Sequence, residues 1–133
     1  MGAVVSAHDP DLDRIVAIKV LRPAAILGQG ESEARVRLLR EAQAMAKLSH
    51  SNVNTVHEVG AANEEVFIAM ELVRSGSLRA WMRSDPGRGW RAILAMFPQT
   101  GRGLSAAHKA GLVHRDFTPE NVLITDDGVA KIT

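Results

Sequence analysis

The stretch of this sequence that decides the fold is His114-Arg115-Asp116-Phe117-Thr118-Pro119-Glu120-Asn121. Asp116 and Asn121 are five residues apart, and Pro119 between them prevents a regular helix from running through both. A curled loop would instead let both side chains point into one cleft. An aspartate can accept the proton of a hydroxyl group, and an asparagine can give an oxygen to Mg²⁺, which prefers oxygen ligands. The alternative is a polar turn before a strand, which would not require these residues in this order and is therefore less favoured.

A second group of residues with possible chemistry lies upstream, where Lys19 ends the apolar run Val16-Ala17-Ile18-Lys19. Taken alone, such a lysine is more simply explained as a strand-edge residue whose amine reaches solvent. Glu41 lies in a predicted helix on the side of Ala42 and Met45, and alone it would be an ordinary solvated charge. The two make chemical sense as a pair, because a buried ammonium group needs a carboxylate to stay charged and a phosphate-binding group must stay charged.

The hydrophobic pattern around these groups predicts an α+β chain. Six strands are expected at Ala3–Ala7, Ile15–Leu21, Thr55–Val59, Val66–Met70, Val122–Thr125 and Val129–Thr133. Helix 33–48 should begin after an N-cap at Ser32 and should bury one face, made of Leu38, Ala42, Met45 and Leu48. The order of the elements predicts two lobes joined by a linker at Val73–Gly76.

Two further helices are expected after that linker. The first is short and starts near Ser77, and the second covers Trp90–Ala110. Pro98 lies inside the second helix and should kink it, since proline cannot donate the helical hydrogen bond. The apolar residues Leu94, Phe97 and Leu104 of this helix are expected to face water as a patch through which the chain self-associates.

Composition narrows the functional classes. The chain has 133 residues, enough for one domain, and it has no cysteine, which excludes disulfides and thiolate metal sites. A formal net charge of +1 gives no reason to expect a nucleic-acid partner. The charged residues near the start do not suit a signal peptide, and no apolar run is long enough to span a bilayer. We therefore expect a cytoplasmic chain without a membrane segment.

Taken together, V-A-I-K, a helical glutamate and H-R-D-x-x-x-x-N in this order resemble the protein kinase family. The residues Gly111-Leu112-Val113 before His114 resemble the bacterial serine/threonine branch of that family. The resemblance implies the two-lobed kinase fold, with an N-lobe of β-sheet plus one regulatory helix and the first part of the helical C-lobe. It also implies ATP- and Mg²⁺-dependent phosphorylation of serine and threonine hydroxyls on a protein substrate.

The resemblance implies a role for each matching position. Lys19 would hold the α- and β-phosphates of ATP, tethered by Glu41. Asp116 would be the catalytic base and Asn121 a Mg²⁺ ligand. The other ATP-binding residues would be the last glycine of the phosphate loop, the adenine-contacting residues and the gatekeeper with the hinge, namely Gly2, Val4, Ala17, Leu123, Met70, Glu71 and Val73.

The sequence departs from the family pattern in three places. Residues 1–73 would be an N-lobe that lacks the first strand and most of the Gly-rich loop. Residues 74–133 would be the hinge and the start of the C-lobe, ending before D-F-G. Thr118 stands where these kinases usually carry a lysine that neutralises the γ-phosphate. We therefore expect that the chain alone is not competent for catalysis.

Two alternatives remain open beside a serine/threonine kinase. One is a non-catalytic fragment or pseudokinase that acts by binding. The other is a small-molecule phosphotransferase of the aminoglycoside type, against which Arg115 and the segment Leu48–Val53 argue. His57 and His108 lack partners at ligand spacing, and Asp126-Asp127 before Gly128 is expected to be a solvated turn.

Overall fold

The computed structural model of the chain describes residues 4–21, 31–62 and 65–133. It divides into two compact units. The first comprises Met1–Lys47 and Thr55–Leu72, and the second comprises Leu48–Asn54 and Val73–Thr133. The crossing at Leu72–Val73 lies where the sequence predicts a linker. The inclusion of Leu48–Asn54 in the second unit was not predicted.

The first unit is built on a four-stranded antiparallel sheet with the strand order β1-β2-β4-β3. Its elements are β1 (Val4–Asp9), β2 (Arg14–Leu21), α1 (Glu31–Ala46), β3 (Val56–Ala62) and β4 (Glu65–Glu71). The turn between β1 and β2 is closed by an ion pair in which Arg14 Nε donates to Asp9 Oδ2 over 3.0 Å. The hydrogen bond from Arg14 holds the pKa of Asp9 below its ordinary value, outweighing the opposite effect of partial desolvation.

One face of this sheet packs against α1. Ala17 lies opposite Met70 across β2 and β4, and both contact a core cluster that contains Ile68 and the fully buried Ala42 of α1. The small side chain of Ala42 fits a helix that lies directly on a sheet. The register therefore sets which residues of β2 face the helix.

The buried stripe of α1 differs from the predicted one. Ala34 and Ala42 are buried, and Leu38, Leu39 and Ala44 are half-buried. Met45 is 37% exposed and Glu41 is exposed, so the predicted core-leaning positions of both residues are wrong. The helix begins at Glu31 and ends at Ala46. Ser32 therefore lies within the helix, and its prediction as the N-cap is also wrong.

The second unit contains the remaining elements, including both strands predicted at the end of the chain. They are α2 (Leu78–Arg83), α3 (Trp90–Leu94), α4 (Met96–Lys109), a 3₁₀ turn at Pro119–Asn121, β5 (Val122–Ile124) and β6 (Ala130–Ile132). Ser77 caps α2 by accepting a hydrogen bond from the N–H of Ala80 over 3.2 Å. β5 and β6 pair as an antiparallel hairpin whose turn uses Gly128 at φ +79°.

Pro98 does not merely kink the predicted helix Trp90–Ala110, which is instead divided into the two helices α3 and α4. A proline cannot donate to the carbonyl four residues earlier, which here is Leu94. Leu94 is the last residue of α3, and a second helix starts at Met96. Pro98 thus lies in the first turn of α4, where its missing N–H costs little.

The core of the second unit lies between α4, α2 and the β5–β6 hairpin. Its buried members are Leu78, Met96, Ala107, Val122, Ile124, Ala130 and Ile132. Leu104 packs against this cluster, so its predicted exposure is wrong. Leu94 and Phe97 are 54% and 62% exposed, as expected, and Trp90 is exposed beside them. Self-association through this patch stays a prediction.

A buried polar junction fixes Leu48–Asn54 against α4 and β6. The Asn52 side chain donates to Ala130 O over 2.9 Å and to Gln99 Oε1 over 3.4 Å, and its Oδ1 accepts from Arg102 Nε over 3.3 Å. Its backbone carbonyl accepts from Ile132 N–H over 3.0 Å. Asn52 is only 3% exposed, so these bonds satisfy a residue that would be costly to bury alone.

None of the helices in the described residues is both long and apolar enough to cross a bilayer.

Gly103 should be the less replaceable of the two glycines in α4. A Cβ at this position would lie 2.3 Å from the backbone oxygen of Asn52 and 3.3 Å from Ile132 Cγ1. We expect Gly103→Ala to lower the free energy of unfolding by about 1–3 kcal/mol in urea denaturation, the usual cost of overpacking. Gly101→Ala, in the same helix with nothing within 4 Å, is the control and should be neutral or stabilising. Equal effects of the two substitutions would contradict this packing.

Candidate functional site

The loop from His114 to Asn121 is delivered by the C-terminus of α4. Gly111 has φ +76°, its N–H donates to His108 O over 2.9 Å, and the N–H of Leu112 donates to Ala107 O over 2.9 Å. These two bonds form a Schellman motif, which requires a left-handed residue and so favours glycine. The half-buried Leu112 then packs against the core of the second unit. The start of the loop is thereby fixed to the end of α4.

The loop contains a strained turn centred on Arg115. The N–H of Asp116 donates to His114 O over 2.7 Å, so only one residue separates donor and acceptor. Arg115 consequently has φ +61°, which is uncommon for a residue with a Cβ. The rings of His114 and Phe117 meet edge to face with their centroids 5.6 Å apart. Such outliers are typical of functional loops whose surroundings hold them in place.

Asp116 and Asn121 are brought together, as the curled-loop interpretation expects. Asn121 Nδ2 donates to the backbone oxygen of Asp116 over 2.8 Å and to Asp116 Oδ2 over 3.0 Å. The 3₁₀ turn that starts at Pro119 allows this approach, and the N–H of Asn121 donates to Thr118 O over 3.0 Å. Asp116 is exposed and Asn121 is half-buried, so the pair is accessible from solvent.

The oxygens of this pair suit a hard cation and an acceptor hydroxyl. Asn121 uses its amide nitrogen toward Asp116, and across the described residues no donor is bound to its Oδ1 or to Asp116 Oδ1. Amide and carboxylate oxygens are ligands that Mg²⁺ accepts. The same part of the chain holds no group of three or more histidine, aspartate or glutamate residues that could bind a metal.

The end of the loop is anchored to α2 and its preceding residues. Arg79 forms an ion pair with Glu120, Ser77 forms a β-bridge with Leu123, and Ile124 N–H donates to Gly76 O over 2.9 Å. Partial desolvation works to raise the pKa of Glu120, but the hydrogen bond and charge of Arg79 outweigh it and keep that pKa below its ordinary value. The sequence gives no sign of this pair, because its members belong to different elements.

In the first unit, the strand register places several predicted residues on one face of the sheet. Val4 lies opposite Lys19, and Ala17 lies opposite Met70. Residues opposite each other in antiparallel strands share a face, as do residues two apart in one strand. Lys19 is half-buried, Val4 is 59% exposed, and Ala17 and Met70 are buried. The structure thus groups these four residues.

The other predicted residues are placed separately. Glu41 is exposed on α1, and Glu71 ends β4, where its N–H donates to Thr55 O over 2.9 Å. Val73 and Leu123 belong to the second unit and are half-buried. Gly2 lies outside the described residues.

Three polar residues for which the sequence predicts no chemical role, Asp126, Asp127 and His57, are placed as follows. Asp126 and Asp127 are exposed, with Ser75 Oγ donating to Asp126 and Thr125 Oγ1 donating to Asp127 Oδ1 over 2.5 Å. Burial and the positive charge of Arg14 lower the pKa of His57 below its ordinary value. This favours a neutral imidazole at pH 7.

The chain is similar throughout its length to known proteins. The family model described as the protein kinase domain matches residues 1–133. The chain is 40% identical over 131 residues to serine/threonine-protein kinase PknL of Mycobacterium bovis, covering 98% of this chain and 32% of that protein. It is 38% identical over 138 residues to serine/threonine-protein kinase PknA of Mycobacterium tuberculosis, covering 100% of this chain and 31% of that protein.

A third relative extends the similarity to another genus. The probable serine/threonine-protein kinase pknA2 of Bifidobacterium longum is 37% identical over 133 residues, covering 100% of this chain and 18% of that protein. The chain spans less than a third of the length of each of these three relatives.

At position 115, glycine should give a more stable protein than alanine, which is the reverse of the usual order of the two residues. Both Arg115→Gly and Arg115→Ala remove the guanidinium group, but only glycine, which has no Cβ, adopts φ +61° without strain. We expect the glycine variant to be more stable than the alanine variant by about 1 kcal/mol in urea denaturation. Greater stability of the alanine variant would show that the turn is not held in the folded protein.

Proposed function

Because the chain belongs to the protein kinase family, we propose that its residues bind ATP and Mg²⁺ and serve phosphate transfer to serine and threonine hydroxyls of a protein substrate. The α+β fold with its antiparallel sheet is that of the kinase domain, so the predicted family and fold class are confirmed. The observation that carries the proposal is the approach of Asn121 to Asp116 over 3.0 Å in an accessible loop. We also propose a cytoplasmic location, where ATP is supplied.

In the first unit, Lys19 is the proposed ligand of the ATP phosphates. It is half-buried on β2, and the neighbouring Val4 and Ala17 provide apolar surface on the same face for the adenine ring. Met70 is the proposed gatekeeper, and Glu71 begins the proposed hinge. Glu41 is the proposed carboxylate partner of Lys19 and must turn inward for this role, since it is exposed here.

In the second unit, Asp116 is the proposed base. A carboxylate held by Asn121 on one oxygen keeps the other oxygen for the hydroxyl proton of serine or threonine. Asn121 offers its Oδ1 to Mg²⁺. When bound, that cation neutralises charge on the transferred phosphate. Val73 and Leu123 complete the proposed nucleotide contacts of this unit.

Thr118 supports a second candidate, a non-catalytic ATP-binding kinase domain. The hydroxyl of threonine carries no charge, whereas electrostatic stabilisation supplies most of the rate in phosphoryl transfer. Binding and transfer must therefore be measured separately.

ATP binding through Lys19 is tested by thermal stability. With Mg·ATP at about 100 times its Kd, the free energy of unfolding should rise by about 2.7 kcal/mol. Lys19→Met should abolish this rise, while Lys47→Met, which removes an exposed lysine of the same unit, should retain it. An equal ATP-induced shift in the Lys19 variant would refute the assigned site.

Transfer is tested with radiolabelled ATP and two acceptors, a mixture of serine- and threonine-containing proteins and an aminoglycoside. Because the chain alone is expected not to be competent for catalysis, the assay uses these residues within a whole kinase domain, for which the kinase proposal expects label on protein serine or threonine. Asp116→Asn should reduce it at least about 100-fold with an unchanged ATP-induced thermal shift, whereas Asp11→Asn, in the β1–β2 turn, should have no effect. Binding without transfer would favour the non-catalytic candidate, and label only on the aminoglycoside would favour a small-molecule phosphotransferase.

A further inference from the structure

The ion pair between Arg79 and Glu120 includes none of the residues proposed to bind ATP or Mg²⁺ or to transfer phosphate. Arg79 lies in the first turn of α2, and Glu120 is the middle residue of the 3₁₀ turn that ends at Asn121. The pair therefore joins a helix to the residue immediately before the proposed Mg²⁺ ligand.

The chain that follows Asn121 is held by the β5–β6 hairpin. Val122 pairs with Ile132 in the β5–β6 hairpin, and the backbone oxygen of Asn121 itself accepts from Thr133 N–H over 3.0 Å. With β5 held by β6 and by Ser77, the remaining freedom at Asn121 comes from its preceding side, where Glu120 is the contact to α2. The ion pair with Arg79 restricts the position of Glu120 and therefore of the chain that enters Asn121.

The pair is too exposed to matter much for stability. The side chains of Arg79 and Glu120 are 42% and 49% exposed, and ion pairs this open to solvent contribute little to the free energy of unfolding. The contact nevertheless fixes direction, because it is made by one nitrogen, Arg79 Nε, which is shielded from solvent and among the described residues meets only Glu120 Oε1. The expected contribution is therefore to the geometry of the loop.

We propose that Arg79 is a positioning residue that acts through Glu120 to hold Asn121 in the orientation that binds Mg·ATP. This inference rests on the proposed function of Asn121. It assigns to α2 a part in metal binding, although α2 supplies no ligand.

The first test measures the Mg²⁺ concentration that gives half of the ATP-induced thermal shift. Arg79→Gln should raise it roughly tenfold, the lower end of the effect of residues that orient metal ligands. Arg83→Gln, which removes an exposed arginine from the same helix, should leave it unchanged. Arg79→Lys keeps the charge without the planar fork and should give an intermediate value.

Exchange of the two charges provides the rescue. The Arg79→Glu and Glu120→Arg single variants should each raise the Mg²⁺ requirement, and the double variant should bring it back toward the wild-type value.

In the ligand-free protein, the side-chain amide signal of Asn121 in a ¹⁵N–¹H spectrum should shift in Arg79→Gln and not in Arg83→Gln. This signal reports on the orientation of Asn121 without any nucleotide.

The outcomes separate the inference from the proposal on which it rests. If Asn121→Ala raises the Mg²⁺ requirement and Arg79→Gln does not, the positioning role is overturned and the function of Asn121 stands. If Asn121→Ala has no effect either, the proposed metal ligand is itself wrong. A lower melting temperature of Arg79→Gln with an unchanged Mg²⁺ requirement and amide signal would mean a structural role alone and would also overturn the inference.

Discussion

The second unit depends on the buried junction at Asn52. One asparagine side chain joins three separate pieces of chain, because it donates to Ala130 of β6 and to Gln99 of α4 while its own backbone lies in Leu48–Asn54. Gln99 Oε1 also accepts from Ala130 N–H over 2.9 Å, so the strand and the helix are linked twice. A buried amide group without such partners would cost about 1–3 kcal/mol, and this cost makes the arrangement specific. The close approach of α4 at Gly103 follows from the same junction.

The candidate catalytic loop depends on this frame at both of its ends. It begins at the Schellman motif of α4 and it ends in β5, which pairs with β6. Since the Asn52 junction holds α4 and β6 to one segment, it also fixes the distance that the loop must span. The strained turn at Arg115 and the contact of Asn121 with Asp116 are then kept by anchors on both sides, which is the condition under which backbone strain persists in a folded protein.

The sequence predicts the parts of this structure that are determined locally. Asp116 and Asn121 were expected together because a proline lies between them, and the six strands were expected from their apolar runs. The Asn52 junction could not be expected, since its side-chain partners lie 47 to 78 residues away and an asparagine in a loop looks like an ordinary turn residue. Met45 and Leu104 were misplaced for a related reason. Helical periodicity gives the apolar side of a helix, but the edge of the stripe depends on what packs there.

Amide hydrogen exchange in wild type and Asn52→Ala tests most directly whether this junction holds the second unit together. The substitution leaves Ala130 O buried without its donor, so exchange at the amides of Ala130, Ile132 and Thr133 should become roughly ten- to a hundredfold faster, corresponding to about 1–3 kcal/mol. Exchange in β2 and β4 of the first unit should stay unchanged. Unaltered protection at Ala130 and Ile132 would show that the junction does not hold the hairpin, and would contradict its role in fixing the candidate catalytic loop.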